Sequence, residues 1–146
     1  MKDGLVIRNY LEADYSMLKE MVFGLYADDL TMSENNIRNT INRSISHPEA
    51  IEIKIFEVAH TVAGYAIITS FWSNEYNGLV KILDELYLLP AHRNQGISTK
   101  FIDQLSQSNP AAILLEVLKY NTKALSLYER LGFEIVDRYF MVKRLK

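Results

Sequence analysis

The stretch LPAHRNQGIS, residues 89–98, decides how the rest of the chain is read. It follows the nearly continuous apolar run Val80–Leu89 and precedes a segment with Ile97, Phe101, Ile102 and Leu105 at helical spacing. A buried strand therefore hands over to a helix through Arg-x-x-Gly-x-Ser. The first turn of a helix has amides without intrahelical partners and a partial positive charge, so an anion docks there, a phosphate above all. Gly96 permits positive φ and lets a bulky group approach the backbone. Arg93 addresses the same anion, and Ser98 and Thr99 add hydroxyl donors. The motif lacks the Gly-Lys-Ser/Thr ending of a P-loop and is not G-x-G-x-x-G. An ordinary strand-to-helix connection would carry much the same residues.

Outward from this turn, periodicity places the other elements. Leu5–Arg8 reads as a strand. Asp14 caps a helix running to about Tyr26, and Ser33 caps a second helix with Ile37, Ile41 and Ile45 every four residues. Ile51, Ile53 and Ile55 alternate with Glu52, Lys54 and Glu57, a half-exposed strand, and Val62–Trp72 is a longer one. After the helix from Gly96 to about Ser108 come a buried strand at Ala112–Val117, a helix at Thr122–Leu131 closed by Gly132, and two final strands, Phe133–Val136 and Tyr139–Val142. The expected order is β-α-α-β-β-β-α-β-α-β-β. It describes one three-layer α/β/α domain spanning 1–146, with helices on both faces of a mixed sheet.

Composition narrows the function. The chain has 146 residues, 49% hydrophobic and 23% charged, with a formal net charge of −2, which argues against a nucleic-acid surface. It has no cysteine, which excludes disulfides, thiolate nucleophiles and cysteine-held metals. The three histidines, His47, His60 and His92, lack metal-ligand spacing, so no metal is expected. No apolar run suits a signal peptide or a membrane span, so a cytoplasmic location and no membrane partner are expected.

ILDELYLLPAHRNQGISTKFIDQL resembles the central acyl-CoA-binding motif of the GNAT superfamily of N-acetyltransferases. LEVLKYNTKALSLYERLGFEIV resembles that family's next motif, LVIRNYLEADYSMLKEM its first strand and helix, and VAGYAIITSFW the strand before the central motif. The resemblance covers nearly the whole chain in the family's order, although Ser98 stands where the family most often has Gly or Ala. It implies a splayed sheet, with acetyl-CoA as co-substrate. The pantothenyl arm would pair with the backbone of Leu86, Tyr87 and Leu88. The diphosphate would lie on amides of Asn94, Gln95, Gly96, Ile97, Ser98 and Thr99, with Arg93 at the rim. Asn121, Lys123 and Ala124 would touch the cofactor, and Tyr128 would protonate the departing thiolate. A plain helix cap and ordinary core packing are the other readings of Asn121 and Tyr128.

Asp84 and Glu85 interrupt an apolar strand, and buried carboxylates are costly. Either is a candidate base for the incoming ammonium, directly or through water, and a purely structural role is the alternative. Without a thiol, direct transfer is the simplest mechanism, with the Leu86 N–H polarising the carbonyl. The acceptor would lie near YADDLTMSEN, 26–35, and FWSNEYNGL, 71–79. Tyr26, Asp28, Asp29, Glu34, Trp72, Glu75 and Tyr76 there mix carboxylates with aromatic faces, which suits a cationic amine. The expected acceptor is a small primary amine, such as a polyamine, an aminoglycoside-like amine or an amino-acid derivative. A protein or peptide acceptor, or a non-catalytic CoA-binding module, are the alternatives. Folds of this type are often dimers, so a homodimer is an open option.

Overall fold

The computed structural model describes residues 4–27 and 29–146. Asp28, one of the acceptor-side candidates, lies outside the described residues. The chain forms two compact units, one running through Leu115 and one from Glu116 to Lys146.

The first unit is built on five strands: β1 (Leu5–Asn9), β2 (Ile51–Val58), β3 (Thr61–Ser73), β4 (Gly78–Leu88) and β5 (Ala112–Leu114). They lie side by side in chain order. The first four are antiparallel to one another in turn, while β5 is parallel to β4, as a strand-helix-strand crossover requires. The sheet carries α1 (Tyr15–Tyr26) and α2 (Glu34–Ser46) on one face. Leu18, Met21 and Val22 of α1 and Ile37 and Ile41 of α2 pack there on Ile53, Ile55, Tyr65 and Ile67. On the other face lies α3 (Ile97–Gln107), whose Phe101 ring sits 5.1 Å from that of Phe56. This is the expected three-layer arrangement.

Local chemistry sets the helix starts. The Ser33 hydroxyl caps α2 by accepting from the Asn36 N–H. Asp14 stands at the start of α1, but its carboxylate is not the cap expected from sequence. It accepts instead from Arg8 at 2.8 and 2.9 Å and from the Leu11 N–H at 2.8 Å. Arg8 in turn binds Glu57 at 2.9 Å, so the bridge ties β1 both to β2 and to the start of α1. The guanidinium beside it holds the Asp14 carboxyl below the usual carboxylate range.

The second unit contains α4 (Thr122–Arg130). Asn121 caps it by accepting from the Ala124 N–H, the cap reading of that residue. At the other end the Phe133 N–H reaches the Tyr128 carbonyl, and the Gly132 N–H that of Glu129. This is a Schellman turn with Gly132 at φ 96°, and the Tyr128 and Phe133 rings meet edge-on, 5.6 Å apart, across it. The Leu-Gly-Phe sequence is thus a helix stop held by an aromatic clasp.

Two expectations need correction. The strand placed at Ala112–Val117 is three residues, Ala112–Leu114, and half-buried rather than buried. The final strands at Phe133–Val136 and Tyr139–Val142 do not form: the described residues there join no ladder, and Ile135, Val136, Tyr139, Phe140, Met141 and Val142 are exposed. Alternation and β-branched residues favour a strand only where a neighbour supplies the pairing. No helix among the described residues is long and apolar enough to cross a membrane.

Candidate functional site

The site grows from a change in pairing along β4. Val80, Lys81 and Ile82 have neighbours on both sides: Phe71, Ser70 and Thr69 on β3, and Ala112, Ile113 and Leu114 on β5. Among the described residues no ladder continues on the β5 side beyond Leu114, while pairing with β3 runs on to Leu88. The sheet is splayed, and Leu83–Leu88 presents a free edge. Its polarity follows from register. The Leu89 N–H donates to the Ala63 carbonyl, so Tyr87 and Glu85, two and four residues back, also turn their backbone groups to β3. Leu86 and Leu88 turn theirs to the free edge. The Leu88 carbonyl is met there by the Arg93 guanidinium, Nε to O 2.9 Å. Of the three backbone positions expected to pair with a ligand, Leu86 and Leu88 therefore face outward and Tyr87 is spent on β3.

The free edge leads into the turn quoted at the outset. Asn94 and Gly96 both have positive φ, 60° and 79°, and Gly96 starts α3 without any side-chain cap. The first-turn amides of Ile97, Ser98 and Thr99 are thereby left to an external acceptor, in a backbone shape that makes an anion concavity. Among the described residues, the buried side-chain polar atoms without a hydrogen-bond partner are Nδ1 of His92 and Oε1 of Gln95, both in this turn. The uncapped amides are donors of the kind an anion takes, whereas the Gln95 oxygen is an acceptor and adds nothing toward one. Arg93 does two things: it holds the Leu88 carbonyl, and its guanidinium lies 5.2 Å from the Tyr87 ring centre.

Asp84 and Glu85 separate at a bulge. Ile67 pairs with Glu85 and Ile68 with Leu83, so Asp84 is the extra residue on β4. Simple alternation would leave Glu85 on the face of Leu83. The bulge moves it to the face of Ile67, under α1 and α2. There the Tyr26 hydroxyl donates to Oε2 at 2.7 Å and the Tyr65 hydroxyl to Oε1 at 2.6 Å. Burial pushes the Glu85 carboxyl up, while the two phenols pull it partly back. Burial and the adjacent carboxylate push both phenols far above their ordinary value, so they stay donors. Asp84 is exposed at the bulge, and partial desolvation raises it too.

Tyr65 escaped the sequence reading, and Tyr87 entered it for its backbone and not for its ring. Tyr65 is fully buried in a strand that looks like plain core, and a buried phenol needs a hydrogen-bond partner, which was the available signal. The Tyr87 ring centre is 6.4 Å from that of Tyr65, and its hydroxyl lies where a Cβ on Gly24 would come within 2.6 Å. A glycine in α1 thus makes room for the tyrosine. Of the acceptor-side candidates, Tyr26 is brought to Glu85. The Asp29 carboxylate accepts from the N–H and hydroxyl of Thr31, closing a local turn. Trp72 pairs with Leu79, five residues along β3 from Ile67, roughly 16 Å from the Glu85 pairing. Glu75 lies in the turn beyond it, so the structure does not gather Trp72 and Glu75 with Glu85.

In the second unit, Asn121, Lys123 and Ala124 form the start of α4. The Asn121 side-chain oxygen is used by the cap, which leaves its amide N–H groups as donors. Burial raises the Tyr128 hydroxyl above its ordinary value, so it carries a proton at neutral pH.

A family model described as "Acetyltransferase (GNAT) domain" matches residues 52–135, more than half of the chain. Over 75 residues the chain is 33% identical to thialysine N-epsilon-acetyltransferase of Mus musculus, a match covering 49% of this chain and 44% of that protein. The chain thus spans under half the length of this curated relative. Among solved structures, a possible acetyltransferase from Clostridium difficile 630 superposes with a TM-score of 0.81 at 16% identity, covering 99% of each chain. AAC(6')-Iy in complex with a bisubstrate analogue superposes with a TM-score of 0.76 at 15% identity, covering 96% of this chain and 97% of that one. At such identities these two show a shared fold.

Proposed function

The chain belongs to the GNAT acetyltransferase family, and on that premise we propose that it moves an acetyl group from acetyl-CoA to a primary amine of a small molecule. The observation that carries the reading is the free edge of β4. One continuous stretch connects the uncapped start of α3 to Leu86 and Leu88, and then to the half-buried carboxylate of Glu85. Amides from Asn94 to Thr99 hold the diphosphate, and the backbone of Leu86 and Leu88 pairs with the pantothenyl arm.

The amine arrives as an ammonium, and Glu85 takes one proton from it, directly or through a water. Of the acidic pair, Glu85 is favoured because it faces the cleft under α1 and α2 and two phenols fix its orientation. The nitrogen lone pair then attacks the thioester carbon. A C–N bond forms as the C–S bond breaks, and the Leu86 N–H meets the charge gathering on the carbonyl oxygen. The nitrogen loses its second proton and the thiolate gains one, so each turnover releases one proton to solvent. Tyr128 supplies the thiolate's proton in this scheme, an assignment that rests on its motif position. With no cysteine in the chain, transfer is direct.

The test is release of free CoA from acetyl-CoA against a panel of monoamines, polyamines, aminoglycosides, amino acids and lysine peptides. Turnover with a small amine is the expected result. Turnover confined to peptides would favour a protein acceptor, and tight CoA binding without turnover would favour a non-catalytic module.

A further inference from the structure

The cleft beside Glu85 is built mostly of carbon. It opens to solvent between α1, α2 and the sheet, with about 290 Å³ of non-atom space when that open solvent is counted. Leu18, Val22, Ile37, Ile53 and Ile67 form its walls, with Met32 at the loop between the helices. Two polar residues also line it, Asn36 and Thr40, but their polar atoms are engaged elsewhere. The Asn36 side chain accepts from the Ser33 hydroxyl and donates to the Thr31 carbonyl, and the Thr40 hydroxyl donates to the Asn36 carbonyl. Among the described lining residues Glu85 alone is charged.

Resting on the amine-acetylation reading, the geometry points to an acceptor with one ammonium group and a short apolar tail, bound ammonium to Glu85 and tail under α1 and α2. A carboxylate that already accepts one phenol on each oxygen still has lone pairs for one cation. A second ammonium, or the hydroxyl-rich rings of an aminoglycoside, would have to leave water for a mostly apolar wall whose two polar side chains are already bonded to neighbours, at a cost of several kcal/mol. A methyl-ended tail instead gains from burial, about 0.8 kcal/mol per methylene.

The decisive pair of substrates is pentylamine and 1,5-diaminopentane, alike in length and differing in one end group. Wild-type protein is assayed for CoA release with each, alongside spermidine and an aminoglycoside, and calorimetry compares binding of the two C5 amines. The inference predicts kcat/KM at least tenfold higher for pentylamine, with tighter binding. Thr40→Asp, close in size to the threonine, adds a second carboxylate to the lining, and should move the ratio several-fold toward the diamine. Equal or better turnover of 1,5-diaminopentane, spermidine or the aminoglycoside overturns the inference and leaves amine acetylation standing. No turnover of any amine, with acetyl-CoA bound, overturns amine acetylation and the inference with it.

Discussion

The two halves of β4 differ in how they are paired, and the proposed chemistry lies on the half paired on one side. Gly78–Ile82 runs toward a segment with strands on both sides, and Val80 there is fully buried. Among the described residues Leu83–Leu88 pairs with β3 alone, gains a bulge at Asp84 and turns a half-buried carboxylate under α1 and α2. A fully paired strand has its backbone groups satisfied and can only stabilise. A strand freed on one edge keeps donors and acceptors for a ligand. Substitutions in the first half should therefore cost stability and spare kinetics, while those in the second should do the reverse.

The largest effect should come from the free half. Glu85→Gln is expected to lower kcat/KM by about 100-fold through loss of the base. Folding stability at pH 8 should hold or rise, because the wild-type carboxyl, with its value raised by burial, favours the protonated form in the folded state. The sign follows: its contribution to stability is present below the ordinary Glu value and is lost as pH rises through the folded value. Activity should correspondingly fall on acidification with an apparent value above the ordinary Glu range, and the variant should lose that limb. Asp84→Asn is the matched control, and a loss equal to that of Glu85→Gln would move the base to the bulge.

Next comes the paired half. Val80→Ala should destabilise by about 2 kcal/mol in chemical denaturation and leave KM for acetyl-CoA unchanged. A changed KM would mean that the two halves are not separable. At the end of the free edge, Gly96→Asn tolerates the left-handed backbone that valine would not, so it adds bulk with little strain. CoA affinity by calorimetry should drop about tenfold, with a thermal midpoint close to wild type; unchanged affinity would take the diphosphate away from this turn. Smallest and least tied to the comparison is Tyr128→Phe. About a tenfold loss of kcat with CoA affinity intact is expected, and full activity at every pH would remove the proton-donor role.

Much of this comparison can be read from the residues. The apolar run Val80–Leu89, the glycine after it and the helical spacing of Ile97, Phe101 and Leu105 mark the strand, the turn and α3. Ser33 and Gly132 mark helix ends because their chemistry is local. The bulge at Asp84 is not legible, since nothing in Asp-Glu says which residue β3 will skip. The Tyr26–Glu85–Tyr65 bonds join residues 59 and 20 positions apart, contacts that periodicity does not carry. The apolar alternation of residues 133–142 suggests strands, yet a strand is a pairing as well as a propensity, and no ladder forms there.

The central claim is that the free edge of β4 receives coenzyme A, and residue-resolved amide hydrogen exchange tests it most directly. With saturating CoA, the amides of Leu86 and Leu88, which face the free edge, should slow by about tenfold or more, while those of Tyr87 and Leu89, already bonded to β3, should change little. Unchanged exchange at Leu86 and Leu88 in the CoA-bound protein would contradict the account.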